Sequence, residues 1–207
     1  MHKSMRFWDR MASSYDNDGN DRFDPALLKN TREYLKPGDV VLDFGCATGS
    51  LTLQFAGCVK EIHGVDYSAN MIEVASAKAT EINAENATFM QADVLDANIG
   101  PETYDVILAF NLLHLVKDIH AVTRKINEAL KPGGLFISLT PCRGEKGRWL
   151  RMLMAVLGTL GITPRPRFFE TSELEQILTG AGFEIVRTEC TDQAIATDFF
   201  AVVRKLS

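Results

Sequence analysis

The sequence predicts an α/β fold: a doubly wound, mostly parallel seven-stranded sheet with an antiparallel last strand. Three observations carry that expectation. Apolar strand-like runs alternate with longer helical patterns through residues 40–139. Those runs lack the strict in–out alternation of a half-exposed strand, as befits strands buried on both faces. The last two runs, 183–189 and 199–205, are joined only by residues 190–198. No crossover helix fits in that link, so the two should lie antiparallel.

The elements follow in order. Residues 4–15 and 25–35 carry two helical patterns ahead of the first strand. Residues 40–44 (Val-Val-Leu-Asp-Phe) form a strand, and residues 50–56 begin a helix. A strand at 61–65 leads to a helix over 69–82, with Met71, Ile72, Ala75 and Ala79 at turn spacing. A short strand spans 88–91, and a longer one 104–110. Residues 119–130 are helical, with Ile119, Val122, Ile126 and Leu130 on one face. Lys131-Pro132-Gly133-Gly134 reads as a turn into a strand at 135–139. A helix over 172–181 precedes the final strand pair. Residues 146–167, with the apolar stretch 149–160 and then Pro164-Arg165-Pro166-Arg167, read as an insertion above the strand ends. The whole of 1–207 is expected to be one domain, with residues 1–36 as a helical cap and 143–170 as an inserted lid.

Composition narrows the class. The chain has 207 residues, enough for a substantial core, with 46% apolar and 24% charged side chains. Its net charge is -5, which disfavours broad binding of a polyanion. Met1 to Arg10 has no apolar core of signal-peptide type, and no apolar run approaches the roughly 20 residues that span a bilayer. Cys46, Cys58, Cys142 and Cys190 form no CxxC pair and read as thiols of a cytoplasmic protein, not a metal site. The expectation is no nucleic acid and no stable membrane insertion; a homodimer is compatible with such a chain.

The most informative stretch is Val40 to Ser50. An apolar strand runs into Asp43, and a turn bearing Gly45 and Gly49 opens a helix. Ligands of open α/β sheets bind outside the carboxyl ends of the strands. Glycine there lets backbone approach a ligand without an intervening Cβ, and the helix N–H groups can face an anion. Asp66 lies roughly 20 residues beyond, the place for an acid that binds ribose hydroxyls. A dinucleotide turn needs G-x-G-x-x-G and a phosphate loop needs G-x-x-x-x-G-K-[ST]. Gly45-Cys46-Ala47-Thr48-Gly49 lacks the middle glycine of the first and the lysine of the second.

This segment resembles motif I of class I S-adenosylmethionine-dependent methyltransferases, hydrophobic-hydrophobic-Asp-x-Gly-x-x-x-Gly. The likeness continues in register. Gly64-Val65-Asp66-Tyr67-Ser68 resembles the second acidic motif, and Gln91-Ala92-Asp93-Val94 the third. Tyr104 to Ile107 with Phe110-Asn111-Leu112-Leu113-His114 resembles the fourth, and Leu130 to Leu135 the turn into the fifth strand. Phe7-Trp8-Asp9 through Tyr15-Asp16 is similar to the N-terminal helix of the small-molecule branch, which includes quinone-biosynthesis methyltransferases. The resemblance implies a Rossmann-like methyltransferase fold, S-adenosyl-L-methionine as cofactor and a small-molecule acceptor.

It also implies residue roles. Gly45 and the backbone of Cys46, Ala47 and Gly49 would hold the methionine end. Asp66 would accept from both ribose hydroxyls, with Tyr67 and Met71 bordering the adenine. Asp93 would accept from the adenine amino group beside Val94, Phe110 would sit below the methyl, and Tyr15 would close over the cofactor. Asp43 would order the turn. His114 is the candidate general base, because it follows the fourth strand at the functional edge. Cys142 resembles the Pro-Cys nucleophile of cytosine-ring methyltransferases but follows the fifth strand, not the fourth. There is no Asn/Asp-Pro-Pro-Tyr/Phe sequence for exocyclic amines of DNA bases. The apolar stretch 149–160 would wall the acceptor pocket. A protein or RNA acceptor, a non-catalytic cofactor-binding protein and a nicotinamide oxidoreductase remain alternatives at this level.

Overall fold

A computed structural model describes residues 3–17, 24–96, 99–142, 166–192 and 196–206. Its centre is a seven-stranded sheet in the order β3-β2-β1-β4-β5-β7-β6. The strands are β1 (Val40–Phe44), β2 (Glu61–Asp66), β3 (Ala87–Gln91), β4 (Tyr104–Phe110), β5 (Leu130–Cys142), β6 (Phe183–Asp192) and β7 (Thr197–Lys205). β1 pairs parallel with β2 and β4, β2 with β3, and β4 with β5. β7 lies between β5 and β6 and runs antiparallel to both. The predicted sheet and the antiparallel terminal pair are both present.

The helices are α1 (Lys3–Met11), α2 (Pro25–Arg32), α3 (Ser50–Ala56), α4 (Ala69–Glu81), α5 (Ile119–Ala129) and α6 (Thr171–Gly180). Short polar side chains start three of them, as caps should. Asp24 accepts from Ala26 N at 2.8 Å, Ser68 from Met71 N at 3.2 Å, and Asp118 from Ala121 N at 3.0 Å. On one face of the sheet, Ile119, Val122 and Ile126 of α5 and Leu174, Ile177 and Leu178 of α6 pack with Leu42, Ile107, Phe136 and Val203. On the other, Leu27 of α2 and Leu51 and Phe55 of α3 pack with Val41, Ile62, Leu108 and Ile137. Near-continuous burial of β1 and β4 explains why their sequences show no polar alternation.

Several boundaries differ from expectation. Residues 131–134 are a bulge inside a longer β5, not a free turn. Tyr104 opposes Leu130 and Val106 opposes Leu135, so the strand absorbs the extra residues with Gly133 at φ 73°. The terminal hairpin is longer than predicted because its ladder runs out to the pair Asp192 and Thr197. α1 ends at Met11, short of Tyr15, and α2 ends at Arg32, short of Leu35. The apolar stretch 149–160 and most of the expected lid, 143–165, lie outside the described residues. Among the described residues, no helix is long and apolar enough to cross a membrane.

Candidate active site

The chain direction across the sheet reverses between β1 and β4, which is where open α/β sheets leave a crevice. A cavity of about 230 Å³ opens there. That exceeds many times the roughly 30 Å³ a water takes up in the liquid, so the space is ligand-sized. Four loops after strands build its wall. Gly45 and Ala47 come from the loop after β1, and Asp66 and Tyr67 from the end of β2, with Met71 behind them in α4. Asp93, Val94 and Leu95 follow β3. Phe110, at the end of β4, leads into Asn111, Leu112, Leu115, Val116, Lys117 and Asp118. Met5, Trp8 and Tyr15 of the N-terminal segment form the roof.

The glycine turn is shaped by its neighbours. Gly45 and Gly49 both have φ 71°, a backbone that costs other residues about 1–2 kcal/mol. Space adds to the requirement. A Cβ on Gly45 would lie 2.9 Å from Leu112 Cδ1, and one on Gly49 would lie 2.8 Å from Ala75 Cβ and Phe89 Cζ. The amides of Gly45 and Cys46 both donate to the Val65 carbonyl, at 2.8 and 3.1 Å, which staples the turn to β2. Asp66 completes the staple. Its Oδ2 accepts from Ala47 N at 3.1 Å and its Oδ1 from Ser68 N at 2.9 Å. Burial pushes the Asp66 carboxyl above its usual range, opposed by these backbone donors.

The predicted site residues divide. Tyr15, Gly45, Ala47, Asp66, Tyr67, Met71, Asp93, Val94 and Phe110 share the cavity wall. Cys46, Gly49 and His114 stand off it among the described residues. Cys46 is buried, with its amide committed to β2, and burial raises its thiol well above the ordinary value. Gly49 is the N-cap of α3 and donates to Cys46 O at 2.9 Å. His114 is half-buried, and burial lowers its imidazole to about 4. Among the described residues its Nδ1 has no hydrogen-bond partner, while its carbonyl accepts from Arg167 N at 2.7 Å. Asp43 is fully buried and accepts from Thr52 Oγ1 at 2.5 Å, away from the cavity. Burial raises it to about 7.

Sequence reasoning missed the residues that hold the roof. Asp9 Oδ1 accepts from Ser68 Oγ at 2.6 Å, and its carbonyl accepts from Asn70 Nδ2 at 2.9 Å. Asp16 Oδ1 accepts from Thr48 Oγ1 at 2.7 Å and Ser50 Oγ at 3.1 Å. Asp16 also forms an ion pair with Lys78 of α4, whose Nζ donates to Ser50 Oγ at 2.6 Å. The Lys78 and hydroxyl bonds hold the Asp16 carboxyl below its usual range, against the effect of partial burial. Two acids thus latch the N-terminal segment onto the glycine turn and α4. Trp8 meets Phe7 and Tyr15 edge-on, at centroid distances of 5.0 and 6.2 Å. Burial, then the charges of Asp66 and Asp16, raises the Tyr15 phenol, so it stays protonated as a donor.

The arrangement is a cleft rimmed by carboxylates, with close backbone on one side and aromatic cover above. Such a site suits a ligand with hydroxyl and amino donors and a positive charge.

Known proteins share this architecture. The ubiquinone biosynthesis O-methyltransferase of Idiomarina loihiensis is 31% identical over 152 residues, covering 71% of this chain and 62% of that one. The enzyme of the same name from Mesorhizobium japonicum is 33% identical over 163 residues, covering 75% of this chain and 64% of that one. The chain therefore spans less than two thirds of the length of these curated relatives. The solved structure of phosphoethanolamine N-methyltransferase 2 of Haemonchus contortus, in complex with S-adenosyl-L-methionine, superposes with a TM-score of 0.74 at 18% identity. That likeness, over 87% of this chain and 52% of that one, is one of fold. Residues 15–188 match the family described as methyltransferase domain. The chain belongs to the methyltransferase domain family.

Proposed function

We propose that the protein is an S-adenosylmethionine-dependent methyltransferase acting on a small-molecule acceptor. The observation that carries this reading is Asp66. It ends β2 on the cavity wall beside the Gly45 turn, and its carboxylate accepts from the backbone of Ser68, Ala47 and Tyr67. A carboxylate offers about four lone-pair sites, so one remains to accept from a ribose hydroxyl. The rest of the wall fits the same ligand. Asp93 Oδ1 takes Leu95 N at 3.0 Å and leaves Oδ2 for an adenine amino group beside Val94. Tyr67 and Met71 would border the base, Phe110 would lie below the methyl, and Tyr15 would cover it. Gly45 admits the methionine end where a side chain would meet Leu112. Bound there, the cofactor supplies a sulfonium methyl already activated for transfer. The protein then has to align the acceptor and exclude water.

His114, the candidate base for an acceptor that must lose a proton, gains no support from the geometry: it stands off the cavity wall, and burial lowers it to about 4, which weakens it as a proton acceptor. The ubiquinone-biosynthesis relatives favour a small quinone-precursor acceptor over a protein or RNA. We place the enzyme in the cytoplasm as a single domain without nucleic-acid partners. Its four cysteines are free thiols, and its charge is -5. A homodimer is compatible with this reading. In the same reading, residues 1–36 cap the cofactor and 143–170 cover the acceptor.

Isothermal titration with S-adenosylmethionine tests the assignment. Wild type should bind, and Asp66→Ala should bind roughly 10- to 100-fold more weakly, because it loses charge-assisted hydrogen bonds. No binding, or equal binding by the variant, overturns it. Binding without turnover over a panel of quinols, phenols, amines and carboxylates would favour the non-catalytic alternative.

A further inference from the structure

The residue that follows Trp8 in the roof, Asp9, stands off the cavity wall, yet it is joined to the acid that carries the proposed function. Its Oδ1 accepts from Ser68 Oγ at 2.6 Å, and its carbonyl accepts from Asn70 Nδ2 at 2.9 Å. One residue of α1 thus holds the start of α4 by side chain and by backbone. Ser68 is fully buried. Its N–H donates to Asp66 Oδ1 at 2.9 Å, and its Oγ accepts from Met71 N at 3.2 Å.

A serine hydroxyl has one hydrogen to donate. Asp9 takes it, so the Ser68 side chain is locked between the roof and the cap of α4 while its amide is held on Asp66. The path from roof to acid is therefore Asp9, Ser68, Asp66. The two acids also feel each other's charge. Burial first, with the charge of Asp9 added, raises the Asp66 carboxyl against its backbone donors. Asp16, the other acid of the roof, has different partners: Thr48, Ser50 and Lys78.

We propose that Asp9 is a positioning residue for the cofactor: through Ser68 it fixes the Asp66 carboxylate in the orientation that accepts from a ribose hydroxyl. This rests on the methyltransferase reading. Asp9 acts only through Ser68, and its work is angular, because a hydrogen bond weakens steeply once donor and acceptor turn out of line. Docking of α1 and completion of the ribose site are then one event. A roof that lifts off α4 withdraws Asp9, frees the Ser68 hydroxyl and leaves Asp66 held by backbone alone. The N-terminal segment therefore selects for ribose as well as covering the ligand.

Preference for ribose separates this role from simple fastening of the roof. Isothermal titration of the full chain compares S-adenosylhomocysteine with its 2′-deoxy and 3′-deoxy analogues. Wild type should prefer the ribose form over at least one analogue by roughly 10- to 100-fold, the worth of a hydrogen bond to a charged group. Asp9→Ala should cut that preference about fivefold or more, because Asp66 is no longer held in line. Ser68→Ala should match it, and adding Asp9→Ala to Ser68→Ala should lower the preference no further. Asp9→Asn should retain the preference, since its carboxamide oxygen also accepts from Ser68. Asp16→Ala should weaken all three ligands alike and leave the preference at its wild-type value. The proposal fails if Asp9→Ala keeps the preference, if Asp9→Asn or Asp16→Ala loses it, or if Asp9→Ala still lowers it without the Ser68 hydroxyl. A wild type that binds S-adenosylhomocysteine with no preference for ribose overturns it as well. Failure of wild type to bind S-adenosylhomocysteine at all sinks the methyltransferase reading instead.

Discussion

A single buried acid shows how position changes a side chain's work. Asp43 precedes the glycine turn, and its carboxylate meets Thr52 instead of the cavity. The family resemblance implied that it orders the turn or a water; in the structure it is buried and accepts from Thr52 of α3. Its pKa of about 7 in the fold exceeds the ordinary 3.8, so the folded chain holds a proton that the unfolded chain releases. Stability from this group is therefore full below pH 4 and lost as pH rises toward 7. Asp43→Asn keeps an acceptor for Thr52 and does not ionise. Its stability relative to wild type should grow by about 2–3 kcal/mol between pH 5 and pH 8. Urea unfolding of both proteins at the two pH values measures it; a gap that does not change with pH would refute the shifted titration. Asp66 was singled out by its spacing beyond the glycine turn and Asp93 only through the family resemblance, and both lie on the cavity wall.

Among the elements, the N-terminal segment owes its position to side chains far away in sequence. Asp9 reaches Ser68 across 59 residues, and Asp16 reaches Lys78 across 62. No local pattern announces such pairs. The helical pattern of residues 4–15 and a capping place for it were expected, but the side chains that dock it on α4 were not. Because Asp16 and Lys78 are each only partly buried, solvent screens their ion pair and its worth is modest. Lys78→Ala should release S-adenosylmethionine about 2- to 5-fold faster in stopped-flow displacement, with little change in thermal midpoint. An unchanged release rate would mean that the latch does not hold the roof. The bulge at 131–134 teaches a related lesson. Lys-Pro-Gly-Gly carries strong turn chemistry, yet pairing of β4 with Leu130 before it and Leu135 after it carries the strand through it.

For the whole molecule, the cavity depends on a sheet held between two apolar layers. Phe136 is fully buried in β5, and its ring lies 5.9 Å from that of Phe183, which joins the parallel strands to the terminal hairpin. Phe136→Ala should cost about 3–5 kcal/mol, a large share of the roughly 5–15 kcal/mol that stabilises a typical domain. Thermal and urea unfolding should show a large, cooperative loss, whereas a loss under 1 kcal/mol would mean that the core repacks. The alternation of strand and helix, the parallel order and the antiparallel ending were all determined by the sequence, because burial on both faces and link lengths are local properties. So was the glycine–acid cofactor signature, a matter of spacing within one strand–turn–helix. Tertiary structure alone decided which side chains latch the roof and the withdrawal of Cys46, Gly49 and His114 from the wall. Those depend on which distant groups meet and which hydrogen bonds are already made, and a linear chain does not write such pairings into any window of its sequence.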